Sequence, residues 1–261
     1  MTLPISTPPL FPLTSPGATI QEMSLGGYRL SIPNGPAHQY RCAQLDDYKN
    51  IHNRRFDWLA PLRFSVTARV SRANLPGTWG FGLWNDPFSA SQGLGGMSRR
   101  LPALPNTAWF FYASPPNYLA LRDDHPAVGF LAATFSSPTI PSLLFAPAVF
   151  ALPLLALKPA ARLIRRLARL MIRESAALLF VDSCTWHTYR IDWQTDQTQF
   201  FIDEEIVFQT RISPRGRLGL VLWIDNQYMS FSPDGTLRFG TLASDDAAWM
   251  DIKDISLQPF G

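Results

Sequence analysis

Residues Trp186 to Phe208, WHTYRIDWQTDQTQFFIDEEIVF, decide the fold. His187, Tyr189, Ile191 and Trp193 alternate with Trp186, Thr188, Arg190 and Asp192. A period of two places each set on one face of a strand, apolar in and polar out. The polar run QTDQTQ then turns the chain, and FFIDEE followed by IVF returns it. The stretch reads as a hairpin inside one β-sandwich, and the rest of the chain reads as further strands of that sandwich.

The flanking sequence agrees. Phe64, Val66, Ala68 and Val70 alternate with Arg63, Ser65, Thr67 and Arg69, as in a strand with one buried face. In Thr78–Trp84, Trp79, Phe81 and Leu83 oppose Gly80, Gly82 and Trp84; the glycines leave room for a large group on their face. Strands are also expected at Tyr28–Ile32, Tyr40–Leu45, Thr107–Ala113, Tyr118–Leu121, Val128–Thr134, Arg217–Ile224, Leu237–Leu242 and Met250–Leu257. Pro33-Asn34-Gly35 and Ser232-Pro233-Asp234-Gly235 are turn signals. Asp46 and Asp47 read as a solvated strand end or turn, with a charged group at a pocket mouth as the alternative. Asn85–Pro105, with Gly93, Gly95, Gly96, Arg99 and Arg100, is a long loop, and it is not a phosphate loop because no Gly-Lys-Ser/Thr follows. Residues 1–25, rich in Pro, Ser and Thr, read as a flexible lead-in to a single domain over 26–261.

The 261 residues are 46% apolar, enough for one large core, and 23 of them are proline. That is roughly twice average usage and favours short strands and rigid loops. The formal charge is +3. Lys158, Arg162, Arg165, Arg166, Arg169 and Arg173 alone supply +6, leaving −3 elsewhere, which is not the balance of a nucleic-acid-binding protein. Cys42 and Cys184 do not make a disulfide framework. The N-terminus lacks a basic region followed by an apolar run, so it does not read as a signal peptide. A cytoplasmic protein, peripheral to the membrane, is the expected location.

The membrane enters through an insertion at about 138–180. Thr139–Leu157 carries no charge, but Pro141, Pro147 and Pro153, followed by Pro159, argue against one straight spanning helix. Ala160–Ser175 reads as an amphipathic helix with arginines on one side and leucines on the other. Strands on both sides of the insertion belong to one sandwich, so the insertion has to return to its own side. Such a helix suits the plane of an anionic membrane surface. Leu163, Ile164, Arg165, Arg166, Leu167, Arg169, Leu170 and Met171 would carry the contact. The alternatives are a soluble lid or a protein partner bound through 138–180.

Trp186–Trp193, Phe200–Asp203, Leu220–Trp223, Asp251–Gln258 and Gly77–Trp84 together resemble the concanavalin-A-like jelly roll of family-16 glycoside hydrolases. That family carries a strand like W/F-H-T-Y-x-I-x-W, a hairpin ending Y-V-D-G and a last strand like D-Y-V-R-V-Y-Q. The resemblance implies an all-β, two-sheet antiparallel sandwich, and this class sometimes carries a structural calcium. The family's catalytic strand, E-x-D-x-(x)-E, supplies both carboxylates of a retaining glycosidase. Its place here is Asn106–Ala113, NTAWFFYA, which has none. Glu204 stands where the family usually has glycine.

The concave face of such a sandwich would present Trp84, Asn85, Trp109 or Phe110, Phe111 or Tyr112, His187, Tyr189, Trp223 and Asp225. The register of 107–113 is open, since a one-residue slip reverses it. An aromatic groove of this kind suits a glycan, a lipid or another apolar ligand. His38, His52, His125 and His187 show no metal-ligand spacing with the cysteines, so no metal or cofactor is expected. Three functions follow: a non-catalytic binding or scaffold protein at a membrane, an enzyme with a relocated site, or a subunit docked through its insertion.

Overall fold

A computed structural model describes residues 8–24, 26–48, 56–87, 103–140 and 152–260. The apolar stretch over 141–151, most of the glycine-rich loop and His52 lie outside these residues.

Two seven-stranded antiparallel sheets lie face to face. The first, the cleft sheet, is built from β1 (Phe11–Thr14), β4 (Cys42–Asp46), β6 (Thr78–Trp84), β7 (Thr107–Ala113), β8 (Gly129–Ser136), β9 (Arg173–Leu178) and β13 (Gly219–Asp225). Its strand order is β1-β4-β13-β6-β7-β8-β9. The second, the outer sheet, holds β2 (Thr19–Glu22), β3 (Tyr28–Ile32), β5 (Leu62–Val70), β10 (His187–Trp193), β11 (Thr198–Ile202), β12 (Glu205–Thr210) and β16 (Ala248–Pro259). Its order is β12-β11-β10-β5-β16-β3-β2. A small ribbon, β14 (Gln227–Phe231) with β15 (Leu237–Thr241), stands apart from both.

The alternation read from the sequence places the core. Phe64, Val66, Tyr189, Ile191, Trp193 and Phe200 point inward from the outer sheet. Trp79, Phe81, Ala108, Phe110, Leu220 and Leu222 meet them from the cleft sheet. Phe110 makes edge-on contacts with Tyr189 at 5.1 Å and Phe200 at 5.3 Å, the favoured geometry for aromatic pairs.

Three expectations need correction. Residues 8–24 are not a free lead-in, because β1 pairs with β4 and β2 with β3, extending both sheets. The insertion ends earlier than 180: the helix α1 runs over Lys158–Met171, and β9 then rejoins the cleft sheet beside β8. A β-branched Ile172 and the ladder waiting at Arg173 stop the helix there. Tyr118–Leu121 is no strand; Tyr118 makes one isolated bridge to Ser230.

The turn between β11 and β12 explains a departure noted above. Asp203 and Glu204 have φ of +49° and +71°. Both central residues of such a tight hairpin turn take positive φ, a region that costs a side-chain-bearing residue roughly 1–2 kcal/mol. Replacing Glu204 by glycine gives up its exposed contact with Arg190 and removes that cost. The variant is expected to gain about 0.5–1 kcal/mol in urea unfolding. A loss of stability would show that the Arg190 contact outweighs the turn.

Candidate functional site

The outer face of the cleft sheet carries a cluster of rings. Trp84 ends β6, Trp109 and Phe111 alternate on β7, and Trp223 sits on β13. Trp84 and Trp223 stack at 6.4 Å with planes 6° apart. Trp109 lies 5.5 Å from Trp223 and 5.1 Å from Phe111. Gly80 makes the arrangement possible: a Cβ there would come within 2.8 Å of Trp223 Cη2. The room left by the β6 glycines is therefore filled by a neighbouring aromatic.

The register of β7 is now fixed. Trp109 and Phe111 face the cleft, while Phe110 and Tyr112 face the core. The four cleft rings are only 5–8% exposed. A roof covers them. The loop after β7 contributes Asn117 and Leu119, and β14 contributes Tyr228 and Met229. Loop and ribbon are tied by Tyr118 N to Met229 O at 2.9 Å and by Met229 N to Asn117 Oδ1 at 3.0 Å. The cavity left beneath the roof is about 80 Å³, small beside the several hundred Å³ of an ordinary ligand pocket.

Polar groups sit at both ends of the cleft. Asp225 Oδ1 accepts from Thr78 Oγ1 at 2.7 Å and from Gln227 N at 3.2 Å. Trp223 Nε1 donates to Thr78 Oγ1 at 3.0 Å, and Trp84 Nε1 donates to the Tyr48 hydroxyl at 2.7 Å. Trp109 Nε1 is buried without a protein acceptor. Burial pushes the Asp225 carboxyl up to about 7, against the pull of its two donors. Asp225 is the one carboxylate among the described residues lining this cavity.

That shift makes a pH prediction. The folded protein holds the Asp225 proton more tightly than the unfolded chain, where a carboxylate titrates near 4. Asp225 therefore lowers stability as pH rises from about 4 to about 7, and adds no further change above. Asp225→Asn should escape this loss, on the order of 2–4 kcal/mol. Urea unfolding at pH 4.5, 6 and 8 reads it; parallel curves for the two proteins would rule Asp225 out as the titrating group.

The structure gathers Trp84, Trp109, Phe111, Trp223 and Asp225, and moves three other expected residues elsewhere. Tyr189 is in the core between the sheets, on the inner face of the outer sheet. His187 shares that face at the strand end, where Nδ1 meets Asp203 Oδ2 at 2.5 Å and Nε2 meets Thr185 Oγ1 at 3.0 Å. Both are excluded from the cleft by the alternation that puts them with Ile191 and Trp193. Asn85 is used by the backbone, its side chain bonded to Leu104 O and Asn106 N. Thr78, Gln44 and Tyr48 were missed, although Thr78 shares the face of Gly80, Gly82 and Trp84 by simple alternation.

Asp46 and Asp47 are not a solvated strand end. Asp46 is fully buried and accepts from Gln44 Nε2 at 3.0 Å. Asp47 accepts from Trp58 Nε1 at 2.5 Å and from Leu220 N at 2.8 Å, and burial pushes its carboxyl up to about 6. Asp47 braces the end of β4 against β13 and the segment before β5, while Asp46 ties Gln44 to the Tyr48 amide at that end.

The helix is turned the other way from a simple basic-face docking. Arg165 is 3% exposed and points into the protein. Its Nη1 donates to Ala120 O at 2.8 Å and Phe231 O at 2.9 Å; its Nη2 donates to Asp123 at 2.7 Å. Ile164 is half-buried on the same side. Arg165 and Ile164 thus leave the expected contact set. Leu163, Leu167 and Leu170 face away from the sandwich, 57%, 52% and 82% exposed, with Met171 beside them. Arg162, Arg166 and Arg169 flank that stripe and are exposed. No helix among the described residues is long and apolar enough to cross a membrane. No group of three or more metal-ligating side chains occurs among the described residues.

No protein-family model and no curated protein matches the chain. Solved structures do. A glycoside hydrolase family protein from Mycobacterium thermorestibile aligns at 13% identity and TM-score 0.48, over 98% of this chain and 97% of its own. A beta-glucanase from Bacillus licheniformis aligns at 11% and 0.46, over 93% and 82%. A pseudo beta-1,3-glucanase of Mycobacterium tuberculosis aligns at 10% and 0.44, over 90% and 76%. The fold itself is the all-β, two-sheet antiparallel jelly-roll sandwich described above. At these identities the likeness concerns fold alone, and the chemistry has to be read from this chain's own residues. On β7, which carries no carboxylate, Trp109 and Phe111 close the cleft with rings.

Proposed function

We propose that this protein is a non-catalytic binding protein, held at an anionic membrane surface by α1, whose aromatic cleft takes a small apolar ligand. The orientation of α1 carries the reading. A helix that served as a lid would bury its leucines, whereas here Leu163, Leu167 and Leu170 are exposed and Arg165 is buried. Apolar side chains flanked by exposed arginines match a surface of acyl chains beneath anionic headgroups.

Three observations support the cleft half of the proposal. The lining is aromatic, β7 has no carboxylate, and Trp109 Nε1 is available to an acceptor atom on a ligand. A glycan or a lipid chain would have to lift the roof. The roof is what α1 holds, since Arg165 bonds both Ala120 of the loop and Phe231 of β14. Ligand entry is thereby tied to the position of the helix.

Vesicle flotation tests the proposal. The protein should float with phosphatidylserine-containing vesicles at 50 mM salt and be released as salt rises, and should stay behind with neutral phosphatidylcholine. Absence of flotation with a stable stoichiometric protein complex would transfer α1 to the subunit reading. The raised Asp225 carboxyl favours one other reading, an enzyme with a relocated acid. It lacks a second carboxylate among the described residues lining the cleft, and hydrolysis abolished by Asp225→Asn would be needed to establish it.

A further inference from the structure

The larger cavity of about 460 Å³ lies away from the cleft, on the outward face of the outer sheet. Strand registers build its floor. Gln21 pairs with Arg29, Arg29 with Asp251, and Asp251 with Arg69, in one row across β2, β3, β16 and β5. Trp186, just ahead of β10, closes the row beside Arg69. Lys253 stands two residues along β16, on the same face as Asp251.

Charge is concentrated here by the fold. Asp251 is fully buried and accepts from Arg29 at 2.6 and 2.9 Å and from Arg69 at 3.1 and 3.0 Å. One carboxylate thus holds two guanidinium groups side by side, each with an Nη1 that Asp251 does not use. Lys253 Nζ lies 4.8 Å over the Trp186 ring and has no ion pair among the described residues. Arg69 covers the same ring at 4.7 Å. Three cations therefore meet at one cavity against Asp251, already engaged, and Glu22, which is exposed in the cavity wall. A volume of this size is that of a small-molecule site, and cations clustered in this way suit oxyanions held by charge-assisted hydrogen bonds.

We infer that this cavity is a binding site for an oxyanion group, a phosphate or a sulfate, received by Arg29, Arg69 and Lys253 beside Trp186. Asp251 presets the two arginines and Lys253 supplies the charge that is free to move. The site is separate from the aromatic cleft and does not rest on the membrane reading.

Isothermal titration of the full-length protein with inorganic phosphate and with sulfate, at constant ionic strength and pH 7, tests it. Saturable binding is expected for one or both, against none for chloride. Lys253→Gln, which leaves Asp251 and its partners intact, should weaken binding about tenfold or more. Glu22→Gln should strengthen it by removing the opposing carboxylate. Preference for phosphate would mark a phosphoryl ligand and preference for sulfate a sulfated one; either supports the site. No saturable binding, or equal binding by wild type and Lys253→Gln, overturns it.

Discussion

Replacing Leu163, Leu167 and Leu170 together by serine is expected to weaken binding to anionic vesicles by about 30-fold to several hundred-fold. Each leucine is more than half exposed, so each has most of its side chain to contribute to an acyl phase. Burying a leucine fully is worth about 1.5–3 kcal/mol. Taking about half of that for shallow insertion gives roughly 2–4 kcal/mol for three, and 1.4 kcal/mol is tenfold. The fold should be unchanged, because these side chains face away from the sandwich. Arg162, Arg166 and Arg169 changed to glutamine should cost about 1 kcal/mol each near an anionic surface and remove most of the salt dependence. Arg165 has to stay as it is: its substitution would unlatch the helix rather than report on lipid. Vesicle binding indifferent to both triple variants would end the membrane reading.

Asp251→Ala is expected to destabilise the protein by about 3–5 kcal/mol, the cost of leaving charged partners without their buried counterion. Asp251 has no exposed surface and four bonds to two arginines on neighbouring strands. Without it Arg29 and Arg69 repel each other across β16, over the Trp249 ring that Arg29 covers at 4.3 Å. For a chain of this length each kcal/mol lowers Tm by about 2–4 °C, so thermal unfolding should fall by roughly 6–20 °C. A change within about 1 kcal/mol would mean that both arginines can turn out to solvent. The variant should also lose the oxyanion site, whereas Lys253→Gln should weaken binding and keep its stability; the pair separates binding from folding.

Much of the fold was legible because a strand has a short, strict period. Residues 62–70, 78–84 and 187–193 name their own inner faces, and the inner faces meet as expected. Residues 8–24 were not legible. Strands of four residues at a sheet edge are held by pairing with β4 and β3, and their proline-rich composition resembles that of a free tail. The cleft was legible in part. Trp84, Trp109, Phe111, Trp223 and Asp225 could be named, but His187 and Tyr189 were assigned to it by resemblance against the alternation of their own strand.

The paired Asp46 and Asp47 show the limit for single residues. Two adjacent carboxylates ordinarily mark solvent, and here Asp46 is buried and Asp47 half-buried because Gln44, Trp58 and the Leu220 amide supply donors. Those donors lie 2, 11 and 173 residues away along the chain. No local pattern carries such information.

By itself the sequence determined an all-β sandwich, a helical insertion with segregated arginines and leucines, and a β7 without carboxylates. Only the tertiary structure decided which way α1 faces and how closed the cleft is. A helical period says which side chains share a face, but not which face meets the protein. That choice fell to Arg165, whose acceptors Ala120, Phe231 and Asp123 stand 45, 66 and 42 residues away in the chain. A buried guanidinium is tolerable only where such acceptors converge. Their convergence turns the leucines of α1 outward.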